Sequence, residues 1–237
     1  MKYLGLESFN LHAAAFELRH EPAFLHWDRA GAIWYDMAAK FPALKNIQAQ
    51  PGITVFQIGN SYQLTVELNK LTVRASRPAD SLQVMGDLTN RLVEVCAFHL
   101  KYTDFLRVGL RTIYHRDYDS LTLATEAFLG LSLIRSPQKA PFVSNGKPTT
   151  PEYTLGWEND DVGATVRVKG ERRGVQYDVP FGWESSEPKN EERFSLIFDV
   201  DYYTKASVAL SQLRPSEWMT QAFRTIHRGA RDILEQE

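Results

Sequence analysis

The sequence predicts an α+β protein, and three stretches carry that expectation. Tyr62, Leu64, Val66 and Leu68 alternate with Gln63, Thr65, Glu67 and Asn69, which is the period of a half-buried strand. Met85, Leu88, Leu92, Val95 and His99 recur at steps of three and four, the period of a helix with one buried stripe. Phe105 to Arg116 is again a strand, with Leu106, Val108 and Leu110 on one side and Arg107, Gly109 and Arg111 on the other.

Taken in order, Asn10 to His20 reads as a first strand in which Ala14, Phe16 and Leu18 face inward, and Pro22 closes it. Asp28 is positioned to cap a helix from about Arg29 to Phe41, whose Ile33, Trp34, Met37, Ala38 and Phe41 share a stripe before Pro42 stops it. Ile53 to Ile58 is a short β-branched run ended by Gly59-Asn60. The apolar phase flips after Asn69-Lys70, which predicts a tight turn or a bulge before a strand carrying Leu71, Val73 and Ala75. Asp80 with Gln83 resembles a capping box for the second helix. Residues 1–118 therefore read as a ferredoxin-like βαββαβ lobe with room for one extra strand.

Residues 119–237 read as an antiparallel meander plus a C-terminal helix, a second lobe packed on the first. Residues 121–134 have no clean period, and 136–151 contain Pro137, Pro141, Pro148, Pro151 and Asn145-Gly146, so a loop is expected there. Strands are expected at 153–158, 164–169 and 175–179, with turns at Asn159 to Gly163 and Gly170 to Gly174. Gly182 to Glu192 is polar and acidic, a loop, and Phe194 to Tyr203 is a strong strand. Met219, Phe223, Ile226, Ala230 and Ile233 mark the closing helix over Pro215 to Gln236.

With 237 residues, 43% of them hydrophobic, the chain can bury a substantial core. Its 27 basic and 29 acidic residues exclude a strongly basic body that coats nucleic acid regardless of sequence. One cysteine, Cys96, excludes an internal disulfide and a multi-cysteine metal site, and points to a reducing compartment. Acidic and polar residues interrupt the first apolar run too early for a signal peptide, and no window reaches membrane-crossing length. A cytoplasmic protein without membrane contact is expected.

Arg107 and Arg111 flank Gly109 on one strand face, so two guanidiniums beside a side-chain-free backbone could receive a phosphate or carboxylate. Cross-strand pairing with carboxylates such as Glu17 or Glu67 is the structural alternative. His115 extends the basic character and reads as a surface residue at the strand end. Arg167 and Lys169 form a second basic run on an expected hairpin with Arg172-Arg173 at its tip. Tyr153, Trp157 and Tyr177 on neighbouring strands could stack bases beside those cations, or simply fill a sheet core. Asp199 and Asp201 share a strand face and are the weak metal candidates, set against a solvated acidic edge. Cys96 and His99 lie three apart on a helix, where a packed thiol and a core histidine are expected rather than a dyad. No nucleophile elbow, zincin motif or phosphate-cradling glycine loop occurs, so no cofactor and no catalytic residue is expected. Phe181 and Trp183, in the Pro180 to Glu184 loop, are the candidate protein-contact residues.

Three features taken together resemble a sporadically distributed prokaryotic family of uncharacterised proteins. They are the strand Arg107-Val-Gly-Leu-Arg-Thr-Ile, the Phe41-Pro42 pair after the first helix, and Phe194-Ser-Leu-Ile-Phe-Asp-Val-Asp201 followed by a helix with Phe223. In that family an Arg-x-Gly-Leu-Arg-Tyr-Ile strand and a late strand ending Asp-x-Asp recur at similar places. The chain departs from it at Thr112, where a tyrosine usually stands, and in lacking the histidine that often opens the closing helix region. The resemblance brings no activity or catalytic residue. It implies the patchy distribution of mobile-element, toxin-antitoxin or defence-associated genes.

These readings lead to a cytoplasmic interaction module without catalysis, acting through a protein partner or a homo-oligomer. The alternatives are a single-stranded RNA or phosphate-ligand binder using the four basic strand residues, and a metal-assisted hydrolase using Asp199 and Asp201.

Overall fold

The computed structural model describes residues 5–78, 82–131, 152–175 and 191–234. After a 3-10 turn at Leu6–Ser8 come β1 (Asn10–Arg19), α1 (His26–Lys40), β2 (Leu44–Gln50), β3 (Ile53–Ile58), β4 (Tyr62–Glu67), β5 (Lys70–Ser76) and α2 (Gln83–Leu100). They are followed by β6 (Asp104–Phe105), β7 (Arg107–Tyr118), α3 (Leu121–Leu129), β8 (Glu152–Glu158), β9 (Val162–Val175), β10 (Glu191–Thr204), β11 (Val208–Ala209) and α4 (Pro215–Leu234). The fold is α+β. One antiparallel sheet of nine strands has the order β2-β3-β4-β5-β1-β7-β10-β9-β8, and β6 pairs separately with β11.

Strand β7 joins the two halves, since Leu110 lies opposite Phe16 of β1 on one edge and opposite Tyr202 of β10 on the other. Its alternation decides which face is buried. Val108, Leu110 and Tyr114 share a face with Phe16, Leu18, Phe198 and Val200, and all of these join one buried cluster. The helices close that face: Ile33 and Met37 of α1, Met85, Leu92 and Cys96 of α2, Phe128 of α3, and Met219, Ile226 and Ala230 of α4 belong to the same cluster. Trp218 of α4 lies 5.5 Å from Phe16 and 6.0 Å from Tyr202, ring centre to ring centre. The opposite face carries the polar positions, as expected of an antiparallel sheet covered on one side.

Several local expectations are revised. Helix α1 starts at His26, so Asp28 lies inside its first turn, where it complements the helix dipole and caps nothing. Helix α2 starts at Gln83, which removes the expected capping box; its Asp80 lies outside the described residues. The left-handed Lys101 (φ 60°) ends α2 and donates its N–H to Ala97 O at 3.0 Å. Strand β2 was not anticipated: after Leu44 its residues are all exposed, so no apolar alternation marks it. Four strands thus separate α1 from α2, one more than the sequence pattern indicates. Leu106 falls between β6 and β7 and is exposed, while Phe105 takes the buried position. Helix α3 forms where no period was visible, started by Ser120, whose Oγ accepts from Leu123 N at 3.2 Å. The expected turn at Gly170 to Gly174 is instead the continuation of β9, paired with β10 through Glu191↔Val175, so Arg172 sits in a strand and pairs with Glu192. The hairpin turn at Asn159 forms as expected: its Oδ1 accepts from Asp161 N at 2.9 Å and Val162 N at 2.8 Å.

Two histidines are buried near α1. His20 Nδ1 meets Glu21 O at 2.7 Å and its ring stacks on Tyr102 at 4.8 Å; His26 Nε2 meets Thr54 Oγ1 at 3.2 Å. Burial pushes both pKa values, and that of His227 on α4, below the ordinary 6.5. Each imidazole protonates more readily in the unfolded chain, so stability is full above pH 6.5 and is lost as pH falls below it through the folded values. Thermal denaturation between about pH 7.5 and about pH 5.5 should show the midpoint falling, and His26→Gln should flatten that slope. A slope unchanged by the substitution contradicts this assignment.

Candidate functional site: the polar face of the sheet

Arg107 and Arg111 stand on the sheet face opposite the helices, as the alternation requires. Neighbouring strands put carboxylates between them, because Asp201 lies opposite Arg111 and Asp199 opposite Ile113. Each arginine leans along β7 to reach its partner. Arg111 donates Nε to Asp199 Oδ1 at 2.9 Å and Nη2 to Asp199 Oδ2 at 2.6 Å, a bidentate pair that raises its pKa. Arg107 donates Nη1 to Glu17 Oε1 at 2.9 Å and Nη2 to Asp201 Oδ2 at 2.7 Å.

The ladder continues on both sides. Glu17 also takes Arg19 Nε at 2.7 Å and lies 3.8 Å from Lys70, which reaches Glu67 at 3.1 Å. Arg167 approaches Glu152 at 3.1 Å and Asp199 at 3.9 Å, and Lys169 approaches Glu171 at 3.0 Å. The cationic face expected from β7 alone is therefore an alternating one, in which Arg107, Arg111, Arg167 and Lys169 each already meet a carboxylate. An anion arriving there would have to displace those partners. Asp199 and Asp201 are likewise engaged by guanidiniums, and no group of three metal-ligating side chains occurs among the described residues.

The gap at Gly109 is occupied by the molecule itself. A Cβ there would lie 3.3 Å from Arg107 Nη1 and 3.4 Å from Tyr203 Cβ, so the glycine clears a path for the leaning guanidinium. Arg107 lies over the Tyr203 ring at 4.3 Å, and the Tyr203 hydroxyl donates to Glu158 Oε1 at 2.8 Å. Gly163 supplies the floor under this ring: a Cβ on it would come within 2.6 Å of Tyr203 Cζ.

Tyr153 and Trp157 pair with Val168 and Ala164, on the helix side of β8, whereas Arg167 and Lys169 point to the other side. Aromatic and cationic side chains are thus separated by the sheet, and no stacking platform arises from them; Tyr177 lies outside the described residues. Trp157 instead borders an apolar groove of about 380 Å³ beside Ile226, Ala230 and Ile233 of α4. Phe181 and Trp183 also lie outside the described residues. The Cys96 thiol is fully enclosed, which drives its pKa up, and His99 Nε2 bonds Asp36 Oδ2 at 2.8 Å across to α1, so the two form no dyad.

His115 departs from the expected surface position. It is buried, and it stacks on His12 with ring centres 4.1 Å apart. Both belong to a polar cleft of about 440 Å³ at the ends of β1, β5, β7 and β10, lined also by Asn10, Arg77, Asp117 and Arg193. Sequence reasoning missed this group except for His115, because the register of β1 against β7 shifts between Leu11 and Ala13 and carries His12 out of the alternation.

Outside the sheet, three aromatic side chains are exposed on α1 and on the segment that leads into it. Phe24, just before the helix, is 61% exposed, Trp27 59% and Tyr35 74%. Trp27, Gly31 and Tyr35 follow one another at steps of four, which aligns them along one side of the helix. No protein-family model and no curated protein matches the chain.

The Tyr203 nest yields a steric test. Gly163→Ala should cost about 1–3 kcal/mol in a denaturant titration, because the ring must move. In a Tyr203→Ala background the same change should be nearly neutral. An equal cost in both backgrounds means that the ring does not depend on this glycine.

Proposed function

We propose that this chain is an interaction module without catalysis of its own, acting through a protein partner or a second copy of itself, with α1 as its contact surface. The supporting observation is the exposure of Trp27 and Tyr35 on α1 and of Phe24 just before it. Burying such side chains contributes roughly 2–3 kcal/mol each, and tryptophan and tyrosine are the residue types that dominate interface energetics. Gly31 adds to the fit: nothing lies within 4 Å of where its Cβ would stand, so a partner side chain can enter between Trp27 and Tyr35. Asp28, Arg29 and Asp36 on the same helix supply charges of both signs for a polar rim.

The finer architecture belongs to this reading. The order β4-β5-β1-β7, with α1 and α2 on one face, supports our reading of a ferredoxin-like unit extended at one edge by β2 and β3. Such a unit leaves its helix layer free for contacts while the polar sheet face is closed by its own ion pairs. The absence, among the described residues, of any helix long and apolar enough to cross a membrane is compatible with a cytoplasmic setting, and the resemblance noted above with a mobile or defence-associated one.

Sedimentation velocity over a range of concentrations, paired with purification from the native cells, tests this reading. Wild type should self-associate or retain a stoichiometric protein, and Trp27→Ser with Tyr35→Ser should weaken that association at least tenfold, as expected for hot-spot residues, while stability changes by about 0.5 kcal/mol or less. A monomer with no stoichiometric companion, or an association indifferent to both substitutions, overturns it.

A further inference from the structure

The apolar groove that Trp157 borders has a floor set by strand register. Trp157 of β8 lies opposite Ala164 of β9, and Ala164 lies opposite Tyr202 of β10, so the three side chains form one line across the helix side of the sheet. With neighbouring strands about 4.8 Å apart, the two aromatic positions stand about 10 Å from each other, and the alanine methyl alone lies between them. Both aromatic residues border the groove, and the pair Val166 and Val200 continues its floor. Helix α4 forms the facing wall with small residues, Gly229 and Ala230; nothing lies within 4 Å of where a Cβ on Gly229 would stand. At about 380 Å³ the open space is within the range of small-molecule sites.

The side chains around this space select one kind of ligand. Trp157 is exposed, so its ring is not taken up by the core, whereas Tyr202 is packed against the buried cluster and held 6.0 Å from Trp218. Electron-rich aromatic rings attract cations, and alkylated ammonium groups suit them because the same head carries both charge and methyl surface. A charge entering an apolar groove also needs a counter-charge. Asp232 supplies it. Among the described residues it is the one carboxylate that lines the groove, and its side chain makes no hydrogen bond or ion pair there. Arg228, one turn earlier on α4, is exposed, stays outside the lining and forms no ion pair with it. On the other side of the sheet, by contrast, Asp199 and Asp201 are already held by guanidiniums.

We propose that this groove binds a small organic cation of the quaternary or alkylated ammonium class, with its methyl-bearing head over Ala164 between Trp157 and Tyr202 and its charge balanced by Asp232. The site belongs to β8, β9, β10 and α4 and stands whether or not α1 meets a partner.

Nuclear magnetic resonance of the Trp157 indole N–H, identified by its loss in Trp157→Phe, provides the test at constant pH and ionic strength. Choline and its uncharged isostere, in which carbon replaces the nitrogen, are each raised to about 10 mM, a range that covers binding in the millimolar class. The expected result is a saturable shift with choline and binding at least about tenfold weaker with the isostere. Asp232→Asn changes an exposed side chain without an internal partner, so the variant should fold as the wild type does and bind choline about tenfold more weakly. Ala164→Leu fills the space between the two rings and should abolish the shift. No saturable shift with choline, an isostere that binds as tightly as choline, or choline binding unaffected in Asp232→Asn overturns the proposal.

Discussion

Strand β7 is bonded along both edges, to β1 and to β10, and this double pairing makes one sheet out of two sequence halves. Its side chains then impose opposite demands on the two faces. Val108, Leu110 and Tyr114 require a covering layer, which the helices supply, while Arg107 and Arg111 require counter-charges, which Glu17, Asp199 and Asp201 supply. A slip of one residue would turn both guanidiniums into the core and the leucine out, so the pairing is specified from both sides at once. The position of everything else on the sheet, including the cleft at the strand ends, follows from that register.

The ion ladder is better understood as a register device than as a large source of stability. Arg111 is 47% exposed at the side chain and Arg167 43%, where pairing contributes little against solvent and side-chain entropy. Asp199 is the exception, being buried, so removal of its bidentate partner would leave a charge poorly solvated. The polar face is thereby closed to casual anions by its own carboxylates, whereas Phe24, Trp27 and Tyr35, before and on α1, keep their aromatic side chains exposed.

Much of the fold was legible because it follows from alternation. The strands around Phe16, Leu64, Leu110 and Phe198 and the helices around Leu92 and Ile226 were readable from apolar period alone. Strand β2 was not, since an edge strand with solvent on its residues has no period to read. The length of β9 was hidden because Gly170 and Gly174 resemble turn residues, yet pairing with β10 outweighs that local preference. The arginines of β7 were visible, but their partners were not, because whether Asp199 or Asp201 faces Arg111 depends on a register between residues some ninety positions apart. The cleft was the least legible part: a bulge at His12 and a left-handed Arg77 break the very periodicity on which sequence reasoning relies.

That two halves share one cooperative sheet across β7 is most directly tested by native-state hydrogen exchange in low denaturant. The amides of β1, β7 and β10 should exchange through a single opening with the free energy of global unfolding. Separate openings of residues before and after β7, with clearly different free energies, would contradict the account.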